Sequence, residues 1–128
     1  MKSYKLIRIG KLFATRASLS DKGGTKVLTL LIDTGSTYTI IPVEILEAIG
    51  ASPTESKDHV RIITGSGILM VPRVVVSSFH CLGIETAKFS VVGHTLPPAG
   101  PIDGLLGMDF LTARKSHINL GSGTIEIS

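Results

Sequence analysis

Short stretches of alternating apolar and polar side chains run along the chain, a pattern typical of β-strands with one buried face. Residues 6–19 alternate imperfectly, residues 20–25 supply turn chemistry, and residues 26–32 resume as a strand. This pattern predicts a β-hairpin. Its second strand becomes continuously apolar toward its end and brings Asp33 to the point where the chain leaves the core.

A second hairpin is predicted from two arms, residues 59–63 and residues 68–76. Its tip, residues 64–67, contains two glycines that can adopt positive φ, and no bulky side chain is there to hold the turn down. We therefore expect the tip to move. Residues 79–92 suggest two further strands with a turn near Gly83.

Two short helices are predicted among these strands. The first follows Pro42, which suits a first helical turn, and ends at Gly50, which tolerates the left-handed conformation at a helix end. The second covers residues 108–115. The first helix would bury one apolar stripe, formed by Val43, Leu46 and Ile49.

The remaining segments are predicted as loops and a closing hairpin. Residues 51–58 form a polar loop, residues 93–101 form a Pro- and Gly-rich loop, and residues 118–120 pair with residues 124–127. No repeat or linker divides the chain. The sequence therefore predicts one mainly-β domain over residues 1–128.

Composition narrows the possible function classes. A chain of 128 residues has room for one compact domain, so an active site that needs two lobes must recruit a second chain. Hydrophobic residues make up 43% and charged residues 18%, which indicates an ordered protein. The net charge of +3 is scattered, and aromatic residues make up only 5%, so a small nucleic-acid-binding barrel is a weak alternative.

Cysteine usage and hydropathy suggest a location. Cys81 is the only cysteine, so an intrachain disulfide is impossible and a cytoplasmic location is expected. Arg8 interrupts the first apolar run before it reaches the length of a signal peptide. No run approaches the roughly twenty apolar residues of a membrane span, so we expect no membrane association.

The residue types give little support to a metal site or a cysteine nucleophile. The histidines lack metal-ligand spacing, and nothing around Cys81 forms a nucleophile motif. We therefore expect neither metal nor cofactor. The histidines concerned are His59, His80, His94 and His117.

Asp33 is the strongest candidate for chemistry. It directly follows an apolar strand and precedes Thr34, Gly35 and Ser36, so backbone amides and hydroxyls can hydrogen-bond its carboxylate while the strand fixes its position. Taken alone, this short motif is better explained as an ordinary turn that uses Asp and Gly. Other parts of the sequence must therefore distinguish a catalytic carboxylate from an ordinary turn.

A second motif, about seventy residues further on, favours the catalytic interpretation of Asp33. Leu105-Leu106-Gly107 follows Asp103-Gly104, and together with Leu31 to Gly35 these residues resemble the two motifs that cross in aspartic proteases. The resemblance is to the single-domain retroviral type and to one lobe of the pepsin type. It implies a mainly-β, closed barrel-like retropepsin fold with one or two short helices and one lobe per chain.

Two departures place the chain nearer to cellular retropepsin-like proteins than to the viral enzymes. Met108 and Asp109 stand where retroviral enzymes carry Arg-Asn, and Ser36 stands where they usually carry Ala. Asp103 and Asp109 are the only other acids near a motif. Neither is followed by Thr/Ser-Gly, and their family counterparts are not catalytic.

The resemblance implies a role for each residue of the first motif. Asp33 would be the catalytic carboxylate, Thr34 would brace the two chains across a two-fold axis, and Gly35 would let its backbone approach the carboxylate. Ser36 would hydrogen-bond the outer oxygen of Asp33. For Thr34 and Ser36 the simpler alternative is turn stabilisation.

The resemblance also makes the second hairpin a flap that closes over an extended peptide. Gly65, Ser66 and Gly67 would form its tip and offer backbone hydrogen bonds. Ile63 and Ile68 could touch substrate side chains. Met70 is an equally good candidate for substrate contact and for the core.

Catalysis of this type needs two carboxylates that share a proton, so Asp33 should meet Asp33 of a second chain in a C2 homodimer. The predicted function is endopeptidase activity on an extended polypeptide, by water activated between the two carboxylates. The alternative is a dimeric peptide-binding or assembly module that keeps the fold and is catalytically silent.

Overall fold

The computed structural model describes residues 1–97 and 100–128. In this part of the chain, eleven strands and two short α-helices follow one another, with one 3₁₀ turn at Pro53–Glu55. The elements are β1 (Lys2–Lys5), β2 (Ile7–Ile9), β3 (Leu12–Asp21), β4 (Gly24–Ile32), β5 (Ile40–Ile41), α1 (Val43–Ala48), β6 (His59–Thr64), β7 (Gly67–Cys81), β8 (Ile84–Gly93), β9 (Gly104–Leu106), α2 (Met108–Ala113), β10 (His117–Asn119) and β11 (Thr124–Ile127).

Six of the strands form a closed ring. Neighbours pair in the order β3, β4, β9, β5, β8 and β7, and β7 pairs back onto β3 to complete the circuit. The pairs β4–β9 and β5–β8 are parallel, while the others are antiparallel. Strands β2 and β6 extend the ring from β3 and β7. This confirms the predicted mainly-β, barrel-like fold with two short helices.

The barrel interior is filled by side chains that alternate along the strands, because successive residues of a strand point to opposite faces. Phe79 of β7 stacks on Phe89 with ring centroids 4.5 Å apart, and Phe110 of α2 meets Phe79 edge-on at 5.8 Å. Phe79 and Phe110 are almost fully buried. Helix α2 therefore anchors the end of the barrel through one aromatic side chain.

The first helix matches its prediction closely. Pro42 immediately precedes α1 rather than lying in its first turn. At the other end, Gly50 has φ of +84° and donates to the Glu47 carbonyl at 3.1 Å, while Ala51 donates to the Leu46 carbonyl at 2.9 Å. This pair of bonds is the Schellman motif, so Gly50 ends the helix as expected.

Strand β7 is longer than predicted. The expected arm at residues 68–76 and the expected strand from residue 79 are one continuous strand, Gly67–Cys81. The two serines between them, Ser77 and Ser78, break the apolar pattern, but the strand continues through them and Ser78 lies opposite Ala87. The turn near Gly83 is confirmed.

A separate three-stranded sheet joins the two ends of the chain, in the order β1, β11, β10. The closing hairpin β10–β11 was predicted, whereas β1 is mostly polar and shows no apolar strand pattern. Of the loop predicted at residues 93–101, residues 98 and 99 lie outside the described residues. No helix in residues 1–97 and 100–128 combines the length and apolar character required to cross a membrane.

Candidate active site

Asp33 is placed by the parallel pairing of β4 with β9. Leu31 lies opposite Leu105 and Ile32 opposite Leu106, and the Asp33 amide then donates to the Leu106 carbonyl at 3.0 Å. The backbone of Asp33 is thus fixed by one bond beyond the last strand residue. Its side chain is half-buried at the lip of a cleft.

The turn that follows holds the carboxylate through backbone groups. The Gly35 amide donates to Asp33 Oδ1 at 2.9 Å, and the Ser36 amide donates to the Asp33 carbonyl at 3.2 Å. A Cβ added to Gly35 would lie 3.2 Å from Oδ1, so glycine allows this close approach. A carboxylate bonded in this way is oriented before any ligand arrives.

Of the two hydroxyl residues of the turn, only Ser36 can be compared with its expected role in the single chain. The Ser36 hydroxyl donates its proton to the Tyr38 carbonyl at 2.7 Å, so the hydrogen bond to Asp33 implied by the resemblance is not formed in this chain. For Ser36 the turn-stabilising alternative describes the structure. Thr34 is exposed beside a hollow next to α2, and its bracing of a second chain stays a prediction.

The two sequence motifs cross as the resemblance implied, and two glycines make the crossing possible. A Cβ at Gly107 would overlap the carbonyl group of Tyr38, and a Cβ at Gly104 would overlap the Ile40 carbonyl oxygen. Both glycines are buried. The loop after Asp33 therefore passes directly over β9, at a distance that only glycine permits.

Asp109 binds the loop to α2 at this crossing. Fully buried Thr39 donates its hydroxyl to Asp109 Oδ1 at 2.8 Å and its amide to Oδ2 at 2.9 Å. The Gly107 amide in turn donates to the Thr39 hydroxyl at 3.2 Å. Asp109 thus has a structural role, and Thr39 is a residue that the sequence reasoning missed.

Asp103 likewise has a structural role, because it forms hydrogen bonds with the backbone of Thr29. Its Oδ2 accepts from the Thr29 amide at 2.9 Å, and its own amide donates to the Thr29 carbonyl at 2.8 Å. This pair of bonds extends the β4–β9 pairing by one residue. Neither Asp103 nor Asp109 lines the Asp33 cleft.

The cleft beside Asp33 has a volume of about 370 Å³. Its floor is apolar, formed by side chains such as Ile40 and Leu105, which belong to a small hydrophobic cluster beneath it. Among the described residues that line the cleft, Asp33 is the only carboxylate. They are Asp33, Gly35, Ser36, Thr37, Tyr38, Ile40, Arg61, Ile62, Ile63, Thr64, His94, Leu96 and Leu105.

The family model described as aspartyl protease matches residues 17–110, which include the Asp33 turn and the crossing with β9. The chain belongs to the aspartyl protease family. A comparison with curated proteins found no match. Among solved structures, a retropepsin-like aspartic protease from Rickettsia conorii is similar, with a TM-score of 0.71 and 18% identity over 97% of this chain and 88% of that one. This likeness shows that the aspartyl protease has a retropepsin-like fold.

The hairpin formed by β6 and residues 67–72 of β7 is the one predicted from the sequence as a flap, and we call it the flap hairpin. At its tip the Thr64 hydroxyl donates to the Gly67 carbonyl and accepts from the Ser66 amide, both at 3.2 Å. Gly67 has φ of +122°. Gly65, Ser66 and Gly67 are exposed and do not line the cleft in the single chain.

Four apolar side chains around the tip of the flap hairpin are exposed, namely Ile63, Ile68, Leu69 and Met70. Ile63 lines the cleft and is 86% exposed, and Ile68 lines a neighbouring hollow with Tyr38 and is 63% exposed. Met70 is 61% exposed, which excludes the core alternative, while its contact with substrate stays a prediction. It lies opposite Arg61 in the pairing. Sequence reasoning missed Arg61 as a cleft residue, because the face of a strand residue depends on the pairing register.

Other reactive groups lie outside the cleft. Cys81 is buried, and loss of solvent raises the pKa of its thiol to about 12, so it is a poor nucleophile. In residues 1–97 and 100–128, no three His, Cys, Asp or Glu side chains are grouped in a way that could hold a metal ion.

Proposed function

We propose that the chain is one half of a homodimeric aspartic endopeptidase whose catalytic pair is Asp33 from each chain. The observation that carries the proposal is the cleft, which offers one oriented carboxylate at its lip and, among the described lining residues, no second one. Peptide hydrolysis by this chemistry needs two. A two-fold axis beside Asp33 supplies the second from an identical chain.

The chemistry follows from the proximity of two carboxylates. Held about 3 Å apart, they cannot both ionise, so they share one proton. The ionised group takes a proton from water as the water attacks the peptide carbonyl, and the protonated group supplies the proton that the carbonyl oxygen gains. In the second step, the proton taken from water passes to the leaving nitrogen, one hydroxyl of the resulting gem-diol gives its proton to the other carboxylate, and the peptide bond breaks. No covalent intermediate is needed.

The rest of the site has supporting roles in this proposal. Thr34 is exposed next to Asp33, so it faces the partner chain and braces the two turns across the axis. The flap hairpin closes on an extended polypeptide and adds backbone hydrogen bonds to it from Gly65, Ser66 and Gly67. Ile63 and Ile68 contact substrate side chains. Residues 1–128 act as one domain, and the single buried cysteine is compatible with a cytoplasmic location.

Replacement of Asp33 by Asn tests the proposal. We expect Asp33→Asn to lower kcat at least about 10⁴-fold, because the pair loses its shared proton, while sedimentation still shows a dimer. Asp21→Asn, at the turn between β3 and β4 and outside the cleft lining, is the matched control and should keep full activity. Unchanged hydrolysis by Asp33→Asn would refute the assignment.

A catalytically silent peptide-binding dimer is the second candidate. It is favoured by one observation, the Ser36 hydroxyl bonded to Tyr38 and not to Asp33. A mixed peptide library incubated from acidic to neutral pH, with and without a statine-type inhibitor, separates the two. Inhibitor-sensitive products support the endopeptidase, and their absence supports the binding module.

A further inference from the structure

The charges that line the Asp33 cleft are uneven. Among the described lining residues, Asp33 is the only acidic side chain, and Arg61 and His94 are the only basic ones. In the proposed function Asp33 is committed to the reaction. Apart from Asp33, the cleft therefore offers a substrate the positive charge of Arg61, and most of the other lining residues are apolar or uncharged.

Arg61 differs from the other arginine of this region. Arg73 of β7 donates Nε to Asp58 Oδ2 at 2.8 Å, and this hydrogen bond, together with the charge of Asp58, raises the pKa of Arg73. Arg61 is exposed on β6, and no described residue accepts a hydrogen bond from its guanidinium or forms an ion pair with it. Its donors are therefore available to a ligand.

The position of Arg61 on β6 determines its spacing from Ile63. Side chains of a strand alternate, so Arg61 and Ile63 lie on the same face of the flap hairpin, two residues apart. An extended peptide has the same two-residue repeat of roughly 6.6 Å. If one substrate side chain packs on Ile63, the side chain two residues along lies near Arg61.

We propose that Arg61 makes this site select polypeptides with an acidic side chain two residues from the apolar side chain that contacts Ile63. The inference rests on the proposed function for the identity of the site. The guanidinium donates two parallel hydrogen bonds to a substrate carboxylate, a bidentate geometry that the amide of a substrate glutamine cannot match. Because Arg61 is exposed, the preference is modest, about fivefold, and falls with added salt.

The first experiment uses cleavage. A proteome-derived peptide library digested by the wild-type dimer should yield cleavage sites enriched in Asp or Glu at one position. A peptide from that set and its Glu→Gln analogue should then differ about fivefold in kcat/KM, mainly through KM. Arg61→Gln should abolish the difference, and Arg61→Glu should reverse it in favour of a Lys analogue. Arg73→Gln removes the same charge outside the cleft and should leave the preference intact.

A binding experiment separates failure of this inference from failure of the proposed function. The Asp33→Asn dimer is titrated into the same fluorescent peptides, and affinity is read by anisotropy, so no turnover is needed. Preference for the Glu peptide that disappears with Arg61→Gln supports the inference even if no peptide is ever cleaved. Equal affinity for both peptides, or a preference that survives Arg61→Gln, overturns it, whether or not the wild type is an active peptidase.

Discussion

The Asp33 turn and the tip of the flap hairpin are both glycine-containing reversals of the chain, yet their surroundings are opposite. Below the Asp33 turn, Gly104 and Gly107 let two backbone segments touch, and Asp109 ties the loop to α2. Around Gly65, no heavy atom beyond the two neighbouring residues lies within 4 Å of an added Cβ. The catalytic candidate is held by the chain itself, whereas the flap tip is free for a ligand or a partner to order.

Two glycine substitutions should separate these regions most strongly. Gly107→Ala would drive a methyl group into the Tyr38 carbonyl, so we expect about 3 kcal/mol lower free energy of unfolding and loss of activity. Gly65→Ala meets open space and should change stability by no more than about 0.5 kcal/mol. Urea unfolding at one fixed protein concentration measures both, and equal losses would contradict the contrast.

A pair of aspartates should give a smaller difference. Asp109→Ala leaves the buried Thr39 amide and hydroxyl without their acceptor, and we expect a cost of about 2–3 kcal/mol. Asp103→Ala removes a bond to the Thr29 amide at an exposed residue, where water can replace the carboxylate, so about 1 kcal/mol is expected. The comparison is contradicted if the two variants unfold at the same urea concentration.

The buried end of β7 and the flap tip that precedes its other end should differ in the rate at which a thiol placed there is alkylated. At its buried end, Cys81 should resist alkylation at pH 8, while a thiol placed at the flap tip by Ser66→Cys in a Cys81→Ala background should react at once. Equal labelling rates for the two thiols would show that the barrel end of β7 opens as readily as the flap tip.

The burial of Cys81 should also make the free energy of unfolding depend on pH in the alkaline range. The folded pKa of Cys81 is raised to about 12 from an ordinary value of 9.0, so the unfolded chain loses the proton first. Its contribution to stability is complete below pH 9.0 and falls by about 1.4 kcal/mol per pH unit between there and about pH 12. Cys81→Ala should flatten the decline by that amount. An unchanged slope in the variant would show that the thiol is ionised in the folded state.

Much of the fold could be predicted from the sequence, because the apolar runs, turn residues and short motifs that define its elements are local features of the chain. The order of elements from Asp33 through the flap hairpin to Leu105-Leu106-Gly107 follows from apolar runs and turn residues, and the fold confirms it. The crossing of the two motifs follows from the resemblance. The helix end at Gly50 was also predictable, since a glycine directly after an apolar stripe favours the left-handed conformation of the Schellman motif.

What the sequence could not provide depends on register and on distant partners. Thr39 sits in an apolar run and gives no sign that its hydroxyl meets Asp109, seventy residues away. For Ser36 the sequence allowed a bond to Asp33 or a bond within the turn, and only the structure identifies the Tyr38 carbonyl as the acceptor. Arg61 and Met70 could only be assigned to a face once the pairing of β6 with β7 was known.

Strand β7 serves two structures at once, because residues up to Pro72 pair with β6 in the flap hairpin and residues from Arg73 pair with β8 in the barrel. Its two halves therefore differ in their tolerance of insertions and deletions. An added residue at Ser66 lengthens a solvent-exposed turn and changes the reach of the flap hairpin alone. An added residue near Val74 would shift the alternation of every later side chain by one face, turning Phe79 out of the core. Variation in flap length is thus open to this chain, while the length of β7 beyond Pro72 is fixed by the barrel.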